Sequence, residues 1–335
     1  MALSMRGLSN KPSDCMRMRR FGPAVEVDNP HSDRATCPVD DAVQVMTSGP
    51  QVDLVDAHVH VWDRSRHAQA WIDPVAMAAI DRDFDLQTLR ADAGSSPPPR
   101  VVLVQTVPEE SETRDLLQTA LTDPLAAGVV GWVDLTAVAV ADRLAALLAA
   151  DGGRWLVGVR HLLQDEPDPG WVDRPDVRRG ARIVADAGLS LDLVIHHDQL
   201  PAVVRLAQVV PEVRLVLDHL GKPAIAAGEV EPWRTDLFAL AAEPNTAVKL
   251  SGLVTEADWA SWSTEQLAPY AQAALEAFGP HRTMFGSDWP VARLATTYPR
   301  WLDTARALTA DLRADERTAV FGATATKTYR LGAVR

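Results

Sequence analysis

The sequence predicts an α/β protein built as a (β/α)8 TIM barrel, and three observations carry that reading. From Val52 onward, eight short runs rich in Val, Leu and Ile alternate with longer amphipathic Ala- and Leu-rich stretches, as parallel strands joined by crossover helices do. The alternation fills about 280 residues, which suits a barrel of about 250 residues with insertions. No glycine-rich turn of the G-x-G-x-x-G or G-x-x-x-x-G-K type follows any strand, so a doubly wound open sheet is the weaker reading.

In chain order, the predicted strands are Val52–Asp56, Val101–Thr106, Val129–Asp134, Leu156–Arg160, Leu189–His196, Val213–Asp218, Thr246–Leu250 and Thr283–Gly286. Between and after them the apolar spacing predicts helices over Ser111–Leu125, Val138–Ala150, Asp176–Ala187, Leu200–Val209, Glu265–Phe278 and Tyr298–Leu312. Residues 1–50 mix Met, Arg, Pro, Ser and Asp without a sustained apolar period, and read as a disordered or irregular extension, or as a segment upstream of a start at Met46. The barrel domain is therefore expected over residues 51–335. Arg17, Arg19 and Arg20 are not followed by an apolar stretch of the roughly 7 to 15 residues a secretory signal needs, and no apolar run reaches the roughly 18 of a membrane helix. A cytoplasmic protein is expected.

Composition narrows the chemistry. Of 335 residues, 47% are hydrophobic and 23% charged, enough to bury a sizeable core. The net charge of -12 repels phosphate backbones and anionic membranes, so nucleic-acid and membrane partners are not expected. Monomer and homodimer are both compatible with the acidic, tryptophan-rich chain. The only cysteines, Cys15 and Cys37, precede the barrel, so any metal within it must be held by nitrogen and oxygen.

In a barrel of this kind the site lies at the carboxyl ends of the strands. Here those ends carry Asp56-Ala57-His58-Val59-His60, Arg160-His161, His196-His197, Asp218-His219, Lys249 and Ser287-Asp288, and six of the nine histidines fall among them. His58 and His60 are two apart, so on an extended backbone both imidazoles face one side; alone, the pair reads equally as metal ligands or as polar residues closing a strand. His196 and His197 point to opposite sides, and His196, which directly closes its apolar run, is the expected site residue. With His219 and Asp288 they make a plausible nitrogen and oxygen site for one divalent ion. Arg160 suits a carboxylate or carbonyl oxygen, or a structural ion pair. Lys249, inside an apolar run, is expected to pair with an acidic group. Gly286 and Pro290 hold Asp288 in fixed geometry, and Trp289, with Trp62, Trp71 and Trp171, is a candidate for the mouth or for packing.

Four segments then resemble one family: Asp56-Ala57-His58-Val59-His60-Val61-Trp62-Asp63, Leu217-Asp218-His219-Leu220-Gly221-Lys222-Pro223, Lys249-Leu250-Ser251-Gly252-Leu253 and Phe285-Gly286-Ser287-Asp288-Trp289-Pro290. They are similar to the amidohydrolase-related family, in its branch of sugar-acid and dicarboxylate lactonases, over about Val52 to Tyr329. The resemblance implies a metal-dependent-hydrolase barrel that opens a lactone, or, in sister branches, decarboxylates aromatic acids with a metal. It implies His58, His60, His196 and Asp288 as ligands of one zinc or manganese ion, with metal-independent catalysis left open. Asp288 is the expected base and His219 orients the water, while Arg160, His161, Lys222 and Trp289 are expected to hold a small-molecule lactone or sugar acid. Strand four carries Arg160 and His161 where binuclear relatives carry a bridging lysine or glutamate, so a binuclear centre is not expected. A non-catalytic binding barrel is the remaining alternative.

Overall fold

In a computed structural model of the chain, residues 54–94 and 100–332 are described; the expected extension over residues 1–50 and the expected strand start at Val52 lie outside them. Eight strands follow one another in a single sheet: β1 (Val55–Val59), β2 (Arg100–Val104), β3 (Ala126–Gly131), β4 (Leu156–Leu162), β5 (Ser190–Val194), β6 (Arg214–Leu217), β7 (Thr246–Leu250) and β8 (Thr283–Phe285). Every neighbouring pair is parallel and each strand lies beside its successor. Residues such as Val101 to Val104 are buried on both faces, because helices cover the outside and side chains fill the inside.

The helices are α1 (Leu86–Ala93), α2 (Glu110–Thr122), α3 (Val140–Ala149), α4 (Pro175–Asp186), α5 (Leu200–Val209), α6 (Trp233–Ala241), α7 (Leu253–Glu256), α8 (Thr264–Phe278), α9 (Tyr298–Leu308), α10 (Ala314–Thr318) and α11 (Thr324–Thr328). Local signals set their ends: Asp85 accepts from the Thr88 amide at the start of α1, and Ser263 and Thr297 do the same for α8 and α9. No helix among the described residues is long and apolar enough to cross a membrane. The third predicted strand lies three residues too late, since β3 begins at Ala126, and the fifth ends at Val194 rather than His196.

The barrel interior is divided. Val55, Ala57, Val102, Val104, Val130 and Val216 pack with Ala325, Tyr329 and Leu331, so the chain's last turns supply part of the apolar filling. Above that layer the interior turns polar. The change starts in β1, where Asp56 pairs with Val101 but Val59 pairs with Leu103, leaving one residue extra. Such a bulge re-aims the side chains that follow it. Ala57 still belongs to the inner apolar layer, and His58 and His60 face the centre as well.

Candidate active site

The barrel closes through the residues that form the site. β8 is only three residues long, and the seam to β1 is completed beyond it: the Asp288 amide donates to the His58 carbonyl at 2.9 Å and the His60 amide to the Trp289 carbonyl at 2.7 Å. The Asp56 carboxylate braces the same seam, accepting from the amides of His58 (3.1 Å) and Ser287 (2.8 Å). Gly286 is required here, since a Cβ would stand 2.7 Å from the Cβ of His58. Gly252 plays the same part beside His219, where an added Cβ would lie 2.5 Å from Nδ1.

Asp288 Oδ1 sits among three imidazoles, 3.4 Å from His60 Nε2, 3.7 Å from His58 Nε2 and 3.8 Å from His219 Nε2. All four side chains are buried. Asp288 and His219 both hold left-handed backbone conformations, with φ of 59° and 54°. For non-glycine residues this costs on the order of 1 to 3 kcal/mol each, and such strain concentrates at functional sites. Burial pushes the His219 imidazole down to about 4, and burial with the nearby Lys249 ammonium holds His58 well below its usual range. For Asp288 burial acts to raise the value, but His219, His60 and His58 outweigh it and hold the carboxyl below the usual carboxylate range. At neutral pH the site therefore presents neutral His58 and His219 imidazoles beside an ionised carboxylate, and a metal needs its ligands deprotonated.

The hydrogen bonds around the rings test that fit. His60 Nδ1 lies 2.8 Å from the Val104 carbonyl, which can only accept, so in the neutral ring the proton is on Nδ1 and Nε2 carries the lone pair. The His58 and His60 Nε2 atoms are 3.1 Å apart, and His58 Nδ1 faces Asp218 Oδ1 at 3.4 Å. The carbonyl behind the His60 ring is the usual support of a metal-bound histidine, while the nearest group behind His58 Nδ1 is Lys249 Nζ at 3.1 Å, and two converging nitrogens need a proton or a cation between them. His58, His60 and Asp288 each offer a ligand atom within 4.8 Å of the others, and the group fits one divalent ion. His58, Asp218 and His219 form an overlapping set, but Asp218 is already committed. Its Oδ1 is 2.9 Å from Lys249 Nζ and its Oδ2 is 3.3 Å from Arg160 Nη1.

Behind the histidines lies a buried ionic layer. Lys249 Nζ is 2.7 Å from Asp192 Oδ2 and 3.1 Å from His58 Nδ1, and the Tyr329 hydroxyl donates to Asp192 Oδ2 at 2.5 Å. Burial raises Asp192, while Asp218, for which burial alone would do the same, is held well below its usual range by Lys249, His58 and Arg160. Sequence reasoning foresaw a partner for Lys249 but did not identify Asp192, Asp218 or Tyr329. A charged residue inside the apolar run Ser190-Leu191-Asp192-Leu193-Val194, complementary to Lys249, was the available signal.

A cleft of about 590 Å³ opens above the cluster; His60, His219, Asp288, Arg160 and Lys222 reach it. Trp71, one of the tryptophans considered for the mouth, lines it, as do Glu109, Gln164, Glu256 and Trp259, which had no place in the sequence reading. Lys222 donates to Gln164 Oε1 at 2.7 Å and stands 3.9 Å from Glu256. Three expected site residues are not brought to the cluster. His196 is exposed, because β5 stops at Val194 and His196 instead caps the short 3-10 turn His197–Gln199. His161 turns away from the axis, stacking on Trp171 at 3.7 Å between ring centroids and bonding Glu166 Oε1 at 2.8 Å. Trp289 is a packing residue, buried against Phe84, with its indole N–H on Asp92.

The geometry has clear counterparts among known proteins. The model of the amidohydrolase family matches residues 55–331. An L-fucono-1,5-lactonase from Burkholderia ambifaria is 37% identical over 281 residues, covering 83% of this chain and 95% of that protein. A second, from Burkholderia multivorans, is 36% identical over 294 residues and covers 83% and 96%. The crystal structure of a Burkholderia multivorans amidohydrolase with bound zinc is 36% identical, with a TM-score of 0.76 over 83% of this chain and 99% of that one. The match spans the strands that carry His58, His60, His219 and Asp288, and this chain belongs to the amidohydrolase family.

Proposed function

We propose that this protein hydrolyses a sugar-acid lactone, with Asp288 as the base and His219 orienting the attacking water. The observation that supports it is an ionised carboxylate ringed by three imidazoles at the floor of a cleft, in a chain similar along most of its length to L-fucono-1,5-lactonases. A water between Asp288 and His219 gives its proton to the carboxylate as its oxygen bonds to the ring carbonyl carbon. The ring C–O bond then breaks, the proton is returned to the departing ring oxygen, and the product is an open-chain hydroxy acid. His58, His60 and Asp288 would hold one divalent ion, zinc or manganese, which when bound polarises the carbonyl and acidifies water. Arg160 and Lys222 position the substrate.

The cleft favours a neutral polyhydroxy ring over a dicarboxylate. Arg160 already meets Asp218 and the Gln105 carbonyl, and Lys222 meets Gln164 and Glu256, so neither is left uncompensated. Glu109, Asp165, Gln164 and Glu256 instead offer acceptors for hydroxyl groups. The test is a pH-indicator screen of sugar-acid lactones and a pyrone dicarboxylate. One acid released per turnover from a sugar lactone is expected; carbon dioxide release from an aromatic acid, without acid production from any lactone, would replace this reading with decarboxylation.

A further inference from the structure

The cleft wall that carries Trp71 belongs to the segment between β1 and α1, and His67, beside Arg66, ties it to α2 and the turn ahead of it. His67 is buried, and both of its ring nitrogens meet carboxylates: Nδ1 is 3.0 Å from Glu109 Oε2 and Nε2 is 2.7 Å from Asp115 Oδ2. Ionised carboxylates only accept, so both nitrogens must donate, and only an imidazolium does that. A neutral ring would turn a lone pair towards one of the two carboxylates. From the ring a short chain of bonds leads to the cleft. The His67 carbonyl accepts from Gln69 Nε2 at 3.3 Å, and the Gln69 side-chain oxygen accepts the Trp71 indole N–H at 2.8 Å. Glu109, the other anchor, itself lines the cleft.

We propose that His67 is a positioning residue, a charged clasp that holds the Trp71 wall and Glu109 in place around the substrate. This rests on the lactonase reading for the identity of the substrate, but not for the clasp itself. The charged groups around the ring are Glu109 ahead of α2, Glu112 and Asp115 on α2, and, on its own segment, Asp63 and Arg66, the latter 2.6 Å from Asp115. Asp83 and Asp85 line the same neighbouring cavity. Arg66 partly satisfies Asp115, yet Glu109 and Asp115 still outnumber it. Burial opposes charge on His67, but the bonds to Asp115 and Glu109 outweigh it and raise its affinity for the proton. The sign follows: the clasp is closed below the ordinary imidazole range and opens as pH rises through the raised value.

The experiment compares the native protein with His67→Gln from about pH 6 to about pH 9, a range that brackets the ordinary imidazole value. KM for the lactone in His67→Gln should exceed that of the native protein by about three- to fivefold at the acid end, as for loss of one partly exposed ion pair. The ratio should fall towards unity at the alkaline end, with kcat little changed. A long-range proton–nitrogen spectrum should show one ring, absent from His67→Gln, with both nitrogens protonated near neutrality. Acrylamide quenching of Trp71, taken by difference from Trp71→Phe, should rise with pH in the native protein only. Should His67→Gln fail to fold, Asp115→Asn serves, moving the quenching midpoint to lower pH. A KM ratio independent of pH, or a singly protonated His67 ring near neutrality, overturns the proposal. If no lactone is turned over, the lactonase reading fails, while the nitrogen spectrum and the quenching still decide the clasp.

Discussion

The ends of β1 and β5 look alike in sequence, each an apolar run closed by two histidines, and the fold uses them in opposite ways. At β1 the bulge after Asp56 turns His58 and His60 to the axis, and the seam with β8 fixes them there. At β5 the strand stops first, so His196 and His197 lie on a turn outside the barrel, and the residue that reaches the central cluster is Asp192, four positions earlier. For the β1 pair, continued pairing with the segment after β8 is what keeps the imidazoles on the axis; His219, two residues past β6, reaches the cluster instead through a left-handed turn. His196, unpaired, caps a turn.

The largest test of this contrast removes the group on which the β1 histidines converge. Asp288→Asn should lower kcat by about 10²- to 10⁴-fold, the usual share of a general base, while the thermal midpoint stays close to the native one. Next comes the layer supporting the β1 pair. Lys249→Met leaves Asp192 buried without its cation and Asp218 with Arg160 alone, and should cost about 3 to 5 kcal/mol in urea unfolding. Removing one histidine from each strand end then addresses the comparison directly. His58→Ala should fail to retain stoichiometric zinc after dialysis, measured by atomic emission, whereas His196→Ala should retain as much as the native protein. The smallest expected effect is that of His196→Ala on everything else: stability within about 0.5 kcal/mol, as for surface positions, and unaltered kcat/KM. A His196→Ala protein that lost zinc would erase the difference between the two ends.

The order and type of the barrel strands were legible because burial on both faces writes continuous apolar runs, and His58, His60, His219 and Asp288 were legible because charged and polar residues interrupt those runs at one end. What remained hidden depended on where the backbone departs from regular strand. Alternation alone cannot show that β5 stops at Val194 or that β1 gains a residue, so His196 looked better placed than it is, and Asp192 worse. His161 and Trp289 were misplaced for a related reason. Each neighbours a residue that does reach the cleft, Arg160 or Asp288, and adjacent side chains diverge; His161 found Trp171, and Trp289 found Phe84 and Asp92. The cleft residues Glu109 and Glu256 come from connecting segments whose path no periodicity describes.

The most direct test is proton release from L-fucono-1,5-lactone, in buffer containing zinc, by native protein and by equally folded Asp288→Asn. The account predicts one proton per lactone opened by the native protein and almost none by the variant. Equal release by the two proteins, or no release from this or any other sugar-acid lactone, would contradict it.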